Sequence, residues 1–294
     1  MTEPKIKRIF PTHLISSFTS LTKRGSSGWM IVLGSIIVSA LVIMTAIGPW
    51  VAPYSPTKYG VGPIRSPPSF QHLMGTNHIG QDMFSRILVG GSIMLQISAL
   101  SVLICFIIGV PLGLFSSYIG GFFDSVVSLV IDAIYAFPGL VIAIAIAAML
   151  GPGVINMALS IAVVYIPSYF RIVRSQVLSI KELTYVEAAK ATGAKWYTIL
   201  YRYIFPNVIP SIVVVATINF ADAILTAAGL TFIGLGVTYD IPDWGWDLTN
   251  GKTYLASGAW WIIFFPGLMI ILLALGFTLI GEGLSELINP KLQR

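Results

Sequence analysis

Residues 87–123 contain no charged side chain, and neither do residues 25–57 or 133–170. A charge at the centre of a bilayer costs at least about 2.5–3.5 kcal/mol on insertion scales. Charge-free runs of this length therefore single out chain that crosses a membrane. Composition agrees: hydrophobic residues make up 56% of the 294 and charged ones 10%, against roughly 25% charged in an ordinary soluble domain. Mean hydropathy is +0.86. Seventeen basic and twelve acidic side chains cannot cover a soluble globule of this size. A single cysteine, Cys105, lies inside an apolar run and reads as a small buried hydrophobe, which excludes a disulfide scaffold. The expected fold is all-α and polytopic.

Six spans are predicted, each needing ~20 apolar residues. They lie near 29–50, 93–117, 126–150, 154–173, 208–235 and 259–280, with Gly151-Pro152-Gly153 dividing the third from the fourth. The corresponding organisation is a cytoplasmic N-terminal segment (1–28), a first transmembrane helix (29–51) and an external segment (52–91). A five-helix core follows (92–285) with a cytoplasmic loop at 174–207, and then a short tail (286–294).

Lys and Arg set the orientation. Residues 1–28 carry five (Lys5, Lys7, Arg8, Lys23 and Arg24), residues 171–202 carry six, and the tail carries Lys291 and Arg294. All of these fall on one side, whereas the other side receives Lys58, Arg65, Arg86 and Lys252. Both termini are expected in the cytoplasm. The net charge of +5 follows from this topology and does not point to nucleic acid. A cleaved signal peptide is not expected, because the polar N-terminus is long and the first apolar stretch exceeds an h-region.

The longest cytoplasmic segment carries the most information. Thr184 and Glu187 have capping-box spacing, so a helix should begin near Thr184. Ala188, Ala189 and Ala191 favour helix with almost no side-chain bulk, and Gly193 can end it in a left-handed cap. A second amphipathic stretch follows, with Trp196, Ile199, Leu200, Tyr203 and Ile204 at three- and four-residue spacing. Pro206 suits the first turn of the fifth span. A short helix with a small, smooth face can insert into a groove of another protein. The plainer alternative is a basic connector whose glutamate only caps a helix.

No GxxxxGK[ST] phosphate loop occurs, and no Ser/His/Asp set has a spacing cue. His72 and His78 near Asp82 have metal-ligand chemistry, but histidines in surface loops are ordinarily solvated, and His13 lies far away. Neither a metal site nor a catalytic residue is expected. Ionisable residues within spans are functional candidates by default. Asp132 falls near an interface, preceding Ala136-Phe137-Pro138. Asp222 lies midway along the fifth span, where it either faces a water-filled pathway or hydrogen-bonds a neighbouring helix; the pathway is preferred.

Glu187-Ala188-Ala189 with Gly193 and Pro206 resembles the EAA signature of binding-protein-dependent ABC importer permeases. HLMGTNHIGQDMFSR at 72–86 is similar to an external motif of the C-type subunits of the dipeptide/oligopeptide/nickel branch. YIGGFFDSVVSLVIDAIYAFPGL at 118–140, LTFIGLGV at 230–237 and Trp244-Gly245 match further segments of that branch, in order. There are departures. Tyr203 and Phe205 replace the usual Ile and Leu, Asn77 stands for the usual Asp, Gln81 stands for the usual Arg, and Asp222 is not part of the pattern.

The resemblance implies a type I importer permease that forms half of a translocation pathway. Its partners would be a second homologous permease, two ABC ATPase subunits and an external solute-binding protein. Hydrolysis of ATP with Mg would take place on the ATPases, so this chain needs no cofactor. Thr184, Glu187, Ala188, Ala189, Gly193 and Pro206 would belong to the ATPase-coupling loop. Glu187 would cap and orient the lever, the two alanines would permit close docking, and Gly193 would set the bend. The external segments would dock the binding protein. Peptides are the first substrate expectation, oligosaccharides the second, and nickel chelates also belong to the branch. The rival reading is a self-sufficient proton-coupled carrier using Asp222 or Asp132, or a channel. Secondary carriers often show two related halves, and this sequence shows none.

Overall fold

The computed structural model describes residues 25–237 and 241–288. Asp240, His13 and the basic residues at 5–24 and 291–294, on which part of the orientation argument rests, lie outside the described residues. Helices in chain order are α1 (Ser26–Val51), α2 (Met83–Ile119), α3 (Gly121–Tyr135), α4 (Gly139–Leu150), α5 (Val154–Ile180), α6 (Thr184–Ala191), α7 (Phe205–Phe232), α8 (Trp244–Tyr254) and α9 (Trp261–Ile288). Five stretches are long and apolar enough to cross a membrane, and six if α3 and α4 form one broken span.

That broken span corrects the third prediction. The apolar stretch at 126–150 is not one straight helix, because α3 and α4 meet at 89°. Hydropathy sees one run. The break lies at Ala136-Phe137-Pro138, and Pro138 disfavours helical geometry at the residue before it while serving as the N-cap of α4. Of the other spans, α1, α2 and α5 run past their predicted ends, whereas α7 is shifted toward the N-terminus, ending at Phe232, and α9 toward the C-terminus, starting at Trp261. α2 has 37 residues, about 55 Å at 1.5 Å per residue, so it projects well beyond the hydrocarbon core.

Lipid tails give no hydrophobic force between helices, so close approach through small residues holds them together. On α1, a Cβ added at Gly34 would lie 2.5 Å from the Gly276 carbonyl oxygen of α9. At the end of the same pair nearest both chain termini, Ser27 Oγ donates to a Glu286 carboxylate oxygen. On α2, Cβ atoms at Gly109 and Gly113 would lie 2.7 and 2.8 Å from the Cβ atoms of Tyr169 and Val173 on α5. These seams bring α1 against α9 and α2 against α5, the two most extensive helix pairings.

The external segments close over the bundle. The loop at 236–258 contains α8, which Asp243 caps by accepting from the Trp246 N–H at 2.9 Å. Trp244 is fully buried and its indole N–H donates to the Ile87 carbonyl at 2.9 Å. Gly90 and Gly91 of α2 leave room for its ring.

Candidate functional site

Helix α6 starts where the sequence placed it, but not by a capping box. Its N-cap is Leu183, with no side-chain cap bond, and both the Val186 and Glu187 N–H groups donate to the Leu183 carbonyl. Thr184 is therefore the first helical residue and Glu187 lies one place too far on to reach back. Glu187 is exposed and makes no hydrogen bond or ion pair among the described residues. Its carboxylate, in the first turn, still complements the helix dipole.

The other end follows the expected pattern. Gly193 has φ +79°, its N–H donates to Lys190, and the Ala194 N–H reaches back to Ala189, both at 3.0 Å. These are the paired bonds of a Schellman cap.

The two alanines do not share a role. Ala188 is exposed, whereas Ala189 is buried together with Val186. Three residues apart, these two present one face toward a core cluster that includes Val177, Ile180, Ile199, Leu200 and Ile204. Only Ala188 lies open beside Glu187. The loop is tied down elsewhere too: Lys181 Nζ donates to the Ser117 carbonyl at 3.4 Å, and Asn207 Nδ2 donates to the Tyr185 hydroxyl at 3.2 Å.

No bend separates the second amphipathic stretch from the fifth span. A turn at Trp196–Thr198 and a π-helical segment at Ile199–Ile204 run directly into α7. Pro206, in the first turn of α7, follows that segment. A π-segment inside a helix often marks a functional position, and here the stretch at 196–204 and the fifth span share one continuous rod.

Asp222 lies 16 residues beyond Pro206, about 24 Å along the same rod. It is half-buried, and no side-chain hydrogen bond or ion pair to another described residue holds its carboxylate. Three successive cavities that share lining residues form a cleft along α5 and α7, walled also by α3 and α4 in its first part and by α9 in its third. Asp222 is not itself a lining residue, but its neighbours on α7 to either side are. The first, ≈ 360 Å³, is lined by Tyr135, Tyr165 and Thr226. The second, ≈ 310 Å³, is lined by Tyr135, Ser168, Ile172, Val215, Ile218 and Asn219. The third, ≈ 490 Å³, reaches Gln176, Asn207 and Ser211 near the cytoplasmic end. Residues 207, 211, 215, 218, 222 and 226 recur every three or four positions, so Asp222 belongs to the stripe that α7 turns toward this cleft.

Outside the membrane, His72 Nδ1 pairs with Asp82 at 2.9 Å. Asp82 also caps α2, accepting from the Ser85 N–H and hydroxyl. His78 instead stacks on Tyr254, and burial lowers its pKa, with Arg86 adding to the shift. No group of three metal-binding side chains forms among the described residues. The two departures from the external motif face each other: Asn77 Nδ2 donates to Gln81 Oε1 at 2.7 Å, an amide pair where the usual pattern has opposite charges.

Sequence reading missed the strongest external contact. Arg86, 1% exposed, donates from Nε to both carboxylate oxygens of Asp247 at 2.8 and 3.0 Å, and from Nη1 to the Pro56 carbonyl and Gln81. Two intramembrane acids also have partners. Asp132 pairs with Arg171 at 2.6 Å, and Asp124 accepts from Arg174 and from Ser116. Charge complementarity was available as a signal, but separations such as 161 residues for Arg86 and Asp247 hide the pairing.

Residues 109–294 match the family of binding-protein-dependent transport system inner membrane components. The chain is 36% identical over 279 residues, 95% of its length and 91% of the relative's, to the dipeptide transport system permease protein of Alkalihalophilus pseudofirmus. It is 38% identical over 260 residues (88% and 87%) to a probable D,D-dipeptide transport system permease protein of Escherichia coli K12. It is 36% identical over 263 residues (89% and 87%) to a glutathione transport system permease protein of Pectobacterium atrosepticum. Matches of this extent, joined to an all-helical membrane bundle, favour the importer over the carrier reading: the chain belongs to the inner membrane components of binding-protein-dependent transport systems, the permease subunits of ABC importers.

Proposed function

We propose that this permease imports small peptides, with α6 as its coupling helix and the α5–α7 cleft as its half of the translocation pathway. The observation that carries the reading is the form of α6. Its Glu187 and Ala188 lie open while Val186 and Ala189 anchor it, and a Schellman cap fixes its end. Such a helix can be pushed as a rigid body, and α7 is continuous with the segment that anchors it. Displacement by an ATPase would thus reach Asp222 without passing through a flexible joint. Two ATPases below hydrolyse ATP, a second homologous permease completes the pathway, and an external binding protein docks over residues 52–82 and α8. Both termini lie in the cytoplasm. Peptides rank first as substrate because the relatives named above are peptide and glutathione permeases.

The test uses the full complex, purified in mild detergent and reconstituted in liposomes. Glu187→Ala and Gly193→Pro should leave assembly intact, reduce peptide uptake and disconnect it from ATP hydrolysis. Uptake and ATPase stimulation that stay at wild-type levels in both variants would overturn the coupling assignment.

A further inference from the structure

Unlike Asp124 and Asp132, Asp222 has no counter-charge among the described residues. Asp124 is held by Arg174 and Asp132 by Arg171, and Arg171, which lines the same cleft, is already engaged. A carboxylate so deep in the membrane is expensive unless something offsets it. With Phe232 at the external end of α7, Asp222 lies ten residues in, about 15 Å, which is close to the middle of a core roughly 30 Å thick.

Its surroundings favour a polar visitor. One turn above, Thr226 Oγ1 meets the Tyr165 hydroxyl at 2.8 Å, and one turn below, Ile218 and Asn219 line the next part of the cleft. The α7 stripe therefore passes from one cleft section to the next at Asp222. Thr226 also bonds the Asp222 carbonyl oxygen at 2.8 Å, which steadies the backbone and leaves the carboxylate available.

We propose that Asp222 binds the ammonium group of the peptide in transit, pairing with it by a charge-assisted hydrogen bond. This rests on the peptide-import reading and adds the chemical group recognised. A dipeptide and glutathione share a free ammonium despite different side chains. An acid placed midway would select for that group without reading the rest, and it would replace the water the ammonium loses on leaving the binding protein. The substrate then supplies the missing cation, which accounts for an acid otherwise left unmatched.

The experiment compares the wild-type complex with Asp222→Asn and Asp222→Glu in proteoliposomes, using a saturating binding protein. Each is given a dipeptide with a free amino group and the same dipeptide N-acetylated. Taking the ratio of variant to wild type for each peptide cancels the binding protein's own preference. Asp222→Asn should slow the free-amine peptide about tenfold, equivalent to roughly 1.4 kcal/mol. The acetylated peptide should be nearly unaffected, Asp222→Glu should recover most of the rate, and receptor-stimulated ATPase should persist. Equal uptake of the free-amine peptide by Asp222→Asn and wild type would overturn the proposal while leaving peptide import standing. Equal slowing of both peptides with loss of stimulated ATPase would make Asp222 a structural residue and also overturn it. A wild-type complex that moves no peptide overturns the import reading, and this inference with it.

Discussion

Arg86 and Asp247 show what one buried pair does outside the membrane. Each side chain is 2% exposed, so neither charge can turn to water if the other is lost. Removing one partner of such a pair typically costs about 3–5 kcal/mol, whereas replacing both with apolar groups is often neutral. Arg86→Ala should therefore lower the melting temperature of the detergent-solubilised protein sharply, and Arg86→Met with Asp247→Leu should recover most of the loss. An unchanged melting temperature in the single variant would mean that the pair does not hold the external layer. Asp243, four residues before Asp247, behaves differently. Burial raises its pKa from 3.8 to about 7, with Asp247 adding to the rise and the Trp246 N–H opposing it. The folded protein thus holds this proton more tightly than the unfolded chain. The resulting stabilisation is complete below pH 3.8 and is lost as the pH rises through about 7. Hydrogen-exchange protection of α8 should fall between pH 5 and 8, and Asp243→Asn should flatten that slope. A flat wild-type profile would show that Asp243 does not titrate in this window.

Among the elements, α6 gives the sharpest contrast. Ala189 lies in the core cluster's shadow and Ala188 does not, so the same substitution has two outcomes. Ala189→Leu should overpack the anchor at a cost of about 1–3 kcal/mol and loosen the loop, visible as faster hydrogen exchange in α6. Ala188→Leu should leave exchange unchanged and weaken capture of the ATPases in a pull-down. If both variants bind ATPase as wild type does, the exposed face is not the docking face. The sequence made this helix legible through its alanines and Gly193, since left-handed geometry at a glycine is a local property. It misplaced the N-cap because Thr-x-x-Glu spacing describes a helix starting one residue later than this one does. The α3–α4 break was similarly hidden: charge gaps report membrane depth and carry no information about direction. Asp243 is a further readable start signal, an Asp immediately before the first residue of α8.

At the scale of the whole molecule, two glycine seams organise the bundle, and they explain why no single motif shows the packing. Gly276→Leu should force α1 away from α9, because even a Cβ added at that position would lie 2.7 Å from a Val38 methyl. Disulfide cross-linking between cysteines placed at positions 27 and 286, whose side chains meet across this seam, should then fail, while peptide uptake by assembled complexes should fall less than it does for the α6 variants. Cross-linking that persists would mean the seam is not closed by these glycines. The spans were legible because lipid keeps charge out of most of their length. Which helix meets which depends on small residues whose partners lie hundreds of positions away, as with Gly34 and Gly276.

The right-angle turn between α3 and α4 has a consequence for the lipid itself. With 12 residues, α4 is about 18 Å long, well short of a hydrocarbon layer roughly 30 Å thick. One sector of the bundle's wall is therefore only partly built of upright helix. Where it stops, α3 offers Phe122 and Leu129 outward, so acyl chains or a neighbouring subunit must fill the remaining depth. Bilayer thickness thereby becomes a variable of transport: shorter-chain lipids relieve the mismatch and longer-chain lipids increase it.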